Sequence, residues 1–410
     1  MSKPRVTEPE RRQGVFRFEV PDDAIAQDHP ARVLWQALGK LDLSAFLSGA
    51  KSVAGVAGRP THSPQMLLTL WTYAISQGVG SAREIARLVS RDRAFEWIAG
   101  GVAVGHHTLS KFRVGHQAAL DKLMTDVLGA LMHKGVLSLR LVAQDGMRVR
   151  AAASAPSFRR LPSLQACREQ AELHLKAVLA QADDPEVSRA QKAAREAAAR
   201  DFQQRIEEAI AEVEKLQERR GPSDKPARAS TTDPEARVMK MGDGGFRPGF
   251  NVQMATAGSE FGGPRTIVAV RVNNVGSDMG SVTPMLDQIE QRTGKLPATI
   301  LADANHANHG AIVDADARGV NAVIAVSSAG SKTSLKGEPP AVTAWKARME
   351  TPTSKRLYRA RAGLCEWTNA QAARQGLRQL LVRGVAKAAS VALLVAITTN
   401  LIQHLATLAE

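Results

Sequence analysis

The sequence predicts an α/β protein: a helical N-terminal region, then strands alternating with helices around a mixed sheet, with a helical insertion inside it. Three observations carry this. Apolar residues recur every three or four positions up to about residue 135, the period shortens to two from Gly135, and from Phe250 onward apolar strand patterns alternate with helical ones.

The chain of 410 residues is 44% hydrophobic, ample for two packed domains. Its 54 Lys and Arg against 40 Asp and Glu give a formal charge of +14, and 37 of the basic residues are Arg. A polyanionic partner follows, because a planar guanidinium pairs two phosphate oxygens at once; general solubility charge is the other reading. Two distant cysteines, Cys167 and Cys365, exclude a disulfide framework and a thiolate metal cluster. The opening MSKPRVTEPERRQG is charged and lacks the apolar stretch of a signal peptide. The apolar run between Lys387 and His404 is broken by Ser390, Thr398, Thr399, Asn400 and Gln403, so it reads as a buried helix. These features predict a cytoplasmic protein that meets nucleic acid.

In the N-terminal region, residues 1–135, Ser63 and Pro64 open a helix carrying Leu67, Leu68, Leu70, Trp71 and Ile75. Ser81 and Glu84 form a capping box for the next, on which Arg83, Arg87 and Arg91 recur every four residues. That stripe suits a row of phosphates and equally a solvated face. From Gly135, Leu137, Leu139 and Leu141 alternate with polar residues into Gln144, Asp145 and Gly146, a strand. Residues 163–220 are charged, Ala-rich and helical, with a break at Asp183–Pro185; Phe202, Ile206, Ala209, Val213 and Leu216 form the seam of a helical hairpin or short coiled coil. A Pro- and Ser-rich linker at 221–235 follows. MGDGGFRPGFN reads as a flexible, glycine-rich lead whose Lys240 and Arg247 are placed to touch DNA, or as a plain turn. Then come strands FNVQMATAG and TIVAVRVNN, a helix from about Asp278 to Arg292, strand LPATILADA, a helix around 310–317, strand NAVIAV, a helix from about Ser354 through Arg374 that stops at Gly376, and the apolar C-terminal helix.

Two aspartates follow apolar strand patterns, Asp145 after LSLRLVAQ and Asp303 after ATILA, where α/β folds present chemistry at a sheet edge. Asp145-Gly146 also reads as a two-residue hairpin turn, and Asp303 as a helix N-cap. Glu366 lies on the late helix with Tyr358 and Arg361. Three converging carboxylates repel unless cations neutralise them, and oxygen-only ligation suits Mg²⁺ or Mn²⁺, two of which activate an attacking oxygen and stabilise a leaving one. His306 and His309 read as surface or supporting residues.

The segments THSPQMLLTLWTYAISQGVGSAREIARLVSRDRAFEWIAG, HTLSKFR, QDGMRVRAAAS, TTDPEARVMKMGDGGFRPGFNVQ, LADA and LYRARAGLCEWTNAQAARQGLRQLLVRG occur in order from about His29 to the C-terminus. Together they resemble the DDE transposases of bacterial insertion sequences, closest to the insertion-sequence eleven-eighty-two group. The resemblance implies a helical N-terminal DNA-binding domain at 1–135 and an RNase H-like catalytic domain at 136–410. It places Asp145 on the first strand, Asp303 after the fourth and Glu366 on a late helix as catalytic and metal-binding residues, holding two Mg²⁺ or Mn²⁺ ions. Implied with them are end cleavage to a 3′-hydroxyl and its transfer into target DNA. Tyr358 and Arg361 would contact DNA; Ala373 stands where relatives carry Lys, with Arg374 one position on. Partners would be double-stranded DNA at terminal inverted repeats and target, met by a homodimer or larger assembly. A catalytically silent DNA-binding descendant is the alternative.

Overall fold

The computed structural model describes residues 20–49, 60–181, 187–220, 226–326 and 337–409. The charged N-terminal opening, the predicted break at Asp183–Pro185 and the first five residues of the 221–235 linker lie outside them.

Six helices come first: α1 (Pro30–Gly39), α2 (Pro64–Ser76), α3 (Ala82–Leu88), α4 (Arg93–Ala99), α5 (His106–Gly115) and α6 (Gln117–His133). The predicted caps are in place, Ser63 Oγ accepting from Met66 N and Ser81 Oγ from Glu84 N, both at 3.4 Å. Because α3 ends at Leu88, Arg91 leaves the helix, and the predicted stripe shortens to Arg83 and Arg87.

The strand expected from Gly135 begins six residues later as β1 (Leu141–Arg150). Val136 and Leu137 instead donate their N–H groups to Leu131 O at 3.0 and 3.2 Å, which closes the end of α6. The chain continues as β2 (Phe158–Arg159), α7 (Leu161–Ala180), α8 (Arg189–Arg220), β3 (Ala229–Ser230), β4 (Arg237–Lys240), β5 (Phe246–Ala257) and β6 (Thr266–Asn273). Then follow α9 (Val282–Thr293), β7 (Thr299–Ala302), α10 (His309–Ala317), β8 (Asn321–Ile324), α11 (Pro340–Met349), α12 (Pro352–Arg374), α13 (Val385–Gln403) and α14 (Leu405–Ala409).

The main sheet is mixed. β1 pairs antiparallel with β5 and parallel with β7, β8 adds parallel to β7, and β4 and β6 share the far edge of β5. Asp145 and Gly146 sit in mid-strand opposite Met254 and Gln253, so the hairpin-turn reading of Asp-Gly does not hold. The glycine-rich lead is the tight end of the β4–β5 hairpin: Met241 N donates to Gly245 O at 2.7 Å, and Gly244 takes φ +84°, where a side chain is strained.

The predicted insertion is the helical pair α7 and α8, with Ile206, Ala209 and Val213 buried as the seam required and Leu164 opposite. The helices of residues 20–133 and the sheet share one continuous apolar core, bridged by α13. Helix α13 is long and apolar enough to cross a membrane, yet 67% of its apolar window is buried against the protein. Its Asn400 serves the sheet, donating to Ile267 O and accepting from Ile267 N, both at 2.8 Å, which completes an edge residue of β6 beside a register shift, while Ser390, Thr398 and Thr399 bond carbonyls of the helix itself.

Candidate active site

The site forms where β1 outruns its parallel neighbour. β7 pairs with β1 only as far as Ala143, and the next backbone partner on that edge is Gln379 beside Arg150, so the segment from Asp145 to Val149 has a free edge, and Asp303 follows directly on the end of β7. Asp145 and Asp303 line one cleft of about 980 Å³, together with Asn369, Arg148, Asp278 and Lys240.

Helix α12 closes the cleft on the other side. Thr351 caps it with Pro352 in its first turn, and it packs across β1, β5, β7 and β8. Thr368 donates its hydroxyl to Leu364 O at 2.9 Å and accepts from Thr256 at 2.7 Å, which pins the helix to β5. Each residue turns the helix by about 100°, so Arg361, Cys365 and Asn369 form a stripe on the site side. Arg361 Nη1 stands 4.0 Å from Asp145 Oδ2, with its guanidinium over the half-buried Tyr358 ring at 5.7 Å. Asn369 donates to the same Oδ2 at 3.1 Å.

Asp145 and Asp303 differ in electrostatics. Burial pushes the Asp145 carboxyl above the ordinary carboxylate range; the Gly146 N–H and Arg361 oppose this, and Asp303 adds repulsion. A hydrogen bond from His306, Nδ1 to Oδ1 at 2.6 Å, holds Asp303 below that range. Asp303 also caps a single 3-10 turn through Asn305 N at 3.0 Å, so the predicted capping role and a place in the cleft coexist.

Behind the carboxylates runs a buried polar chain. His306, fully buried, places Nε2 3.2 Å from Gln253 Oε1. Gln253 donates to Asp278 Oδ1 at 2.6 Å, and Arg148 holds both Asp278 oxygens at 3.0 and 2.9 Å. Gly146 lies against this chain: a Cβ there would stand 2.2 Å from Gln253 Nε2 and 2.3 Å from Asp278 Oδ1, so only glycine leaves room.

The remaining predicted residues distribute as follows. Glu366 is exposed, about 100° around α12 from Cys365, and does not line the cleft. The expected convergence of three carboxylates is therefore absent from this structure. Among the described residues no group of three His, Cys, Asp or Glu side chains could hold a metal ion. Two carboxylates still fit one Mg²⁺, which binds through one or two of them and keeps several waters. Burial pushes the Cys365 thiol up to about 12, so the free side chain is a neutral thiol. Arg374, Arg83 and Arg87 are exposed, Arg87 paired with Glu84 at 2.6 Å. Lys240 reaches the cleft, whereas Arg247 shares Asp243 with Arg150 at the hairpin end. His309 is exposed at the start of α10.

Sequence reading missed Asn369, Gln253, Asp278 and Arg148. A signal for Gln253 and Arg148 was available, because polar residues inside otherwise apolar strands need buried partners.

Residues 19–115, which include α1 to α5, match a family model described as a transposase domain (DUF772). The match covers under a quarter of the chain and supports a transposase family in general, with the DNA interaction such a domain implies. No curated protein and no solved structure matches the chain.

Proposed function

We propose that the protein is a DNA transposase of the DDE class, related to the insertion-sequence eleven-eighty-two group, with an RNase H-like catalytic domain. The observation that carries this is the pairing of Asp145 and Asp303 in one cleft of a +14 chain whose N-terminal part matches a transposase domain. The sheet supports it: apart from the short β4, strands β6, β5, β1, β7 and β8 lie side by side in that order, antiparallel then parallel, with the aspartates on β1 and after β7.

In this reading Asp145 and Asp303 hold Mg²⁺ or Mn²⁺, which would supply charge stabilisation at the scissile phosphate. The buried chain through His306 and Gln253 fixes the direction of the Asp303 carboxylate, and Arg361 positions DNA while balancing Asp145. Water adds its oxygen to phosphorus, the bond from phosphorus to the 3′-oxygen breaks, and that oxygen leaves protonated as the 3′-hydroxyl. The hydroxyl then attacks a target phosphodiester, releasing a target 3′-hydroxyl in turn. Lys240, Arg83, Arg87 and Arg374 contact phosphates, with two protomers serving two ends in the cytoplasm.

One observation favours a second reading, a catalytically silent DNA-binding protein: Glu366 stands clear of the cleft. The two separate in one experiment. With duplexes carrying the flanks of its own coding region, a transposase releases 3′-hydroxyl ends in MgCl₂ and none in EDTA; binding without cutting in either condition establishes the silent protein.

A further inference from the structure

Helix α12 offers the cleft a residue other than its glutamate. Asn369 lies about 40° around the helix from Cys365 and Glu366 about 100°; the first lines the cleft beside Asp145 and Asp303, the second faces solvent. The Asn369 carboxamide is 3.1 Å from Asp145 Oδ2, and the Thr368–Thr256 hydroxyl pair fixes the adjoining turn of helix to β5. Bringing Glu366 round would rotate buried Leu364, Cys365 and Thr368 off the sheet.

We infer that the carboxamide oxygen of Asn369, rather than the Glu366 carboxylate, is the third protein ligand for a divalent cation held by Asp145 and Asp303. The inference rests on the proposed metal-dependent function. A half-turn of the carboxamide exchanges its nitrogen and oxygen, so the group that donates to Asp145 presents an acceptor when a cation takes the donor's place. Carboxamide oxygens are accepted ligands of hard cations. The site then binds its cation less tightly than three carboxylates would.

The test is Mn²⁺ binding to the full chain by electron paramagnetic resonance, with thermal unfolding to check each variant. Asn369→Ala should weaken Mn²⁺ binding about tenfold or more, Asn369→Asp should tighten it, and Glu366→Gln should leave it unchanged. Asp145→Asn provides the reference loss. Should Asn369→Ala fail to fold, the near-isosteric Asn369→Asp decides alone: unchanged or weaker binding overturns the inference, as does a loss in Glu366→Gln matching Asp145→Asn. No Mn²⁺ binding by the unmodified chain also overturns it. The proposed function is judged separately, by DNA cleavage: Mn²⁺ held through Asn369 by a chain that cuts no DNA sustains this inference and removes that function.

Discussion

His306 Nδ1 lies 2.6 Å from Asp303 Oδ1, with the histidine fully buried and the aspartate at the cleft. The pair fixes the direction of the carboxylate. Hydrogen bonds to a charged group contribute about 1.5–3 kcal/mol, so His306→Ala should lower the unfolding free energy in urea by about that much. Supporting partners of metal ligands are worth about 10–100-fold in affinity or activity, so cleavage should fall by that range. Unchanged cleavage in the folded variant would remove His306 from the site.

Gly146 occupies a place no other residue fits. A Cβ 2.2 Å from Gln253 Nε2 forces the buried chain apart, and Gly146→Ala should destabilise by about 1–3 kcal/mol in the urea midpoint. The exposed helical Gly129, where an added methyl would meet nothing within 4 Å, gives the opposite sign: Gly129→Ala should stabilise by up to about 1 kcal/mol.

His404 sets a pH dependence. Burial lowers its pKa from 6.5 while Nε2 stays 2.8 Å from Thr266 Oγ1. The folded state therefore holds the neutral ring, and the unfolded chain binds the proton first. Stability rises with pH across the window between the lowered value and 6.5, and is lost as pH falls below 6.5. The slope is at most about 1.4 kcal/mol per pH unit for one group. His404→Gln should flatten the component of thermal stability that declines between neutral and mildly acidic buffer.

DNA binding should weaken steeply with salt, since each neutralised phosphate adds about 0.9 to the log–log slope. Arg83 is exposed on α3, and Arg83→Ala should reduce the slope by about one such increment. A slope near zero for the unmodified chain would remove the DNA reading.

Much of the fold was legible because local rules and packing agreed. Ser63 and Ser81 cap helices where their spacing placed them, the Ile206–Val213 seam is buried, and α13 is the buried helix that its polar interruptions indicated. The approach of Asp145 to Asp303 depends on β7 stopping at Ala302 while β1 continues to Arg150, which no local pattern encodes. The start of β1 was misread because Leu137 and Leu139 alternate like a strand while Val136 and Leu137 close α6. The outward direction of Glu366 was not legible for a related reason: the rotation of α12 is set by Leu364, Cys365 and Thr368 against the sheet, a tertiary choice that the position of its one acidic residue does not encode.

The most direct measurement is the rate of 3′-hydroxyl release in MgCl₂ from duplexes bearing the coding region's own flanks, compared among the unmodified chain, Asp145→Asn and Asp303→Asn. Both substitutions should lower the rate by more than roughly a hundredfold, beyond the loss expected for a supporting residue, while DNA binding persists. Cleavage at the unmodified rate by either folded variant would contradict the assignment of this cleft as the cutting site.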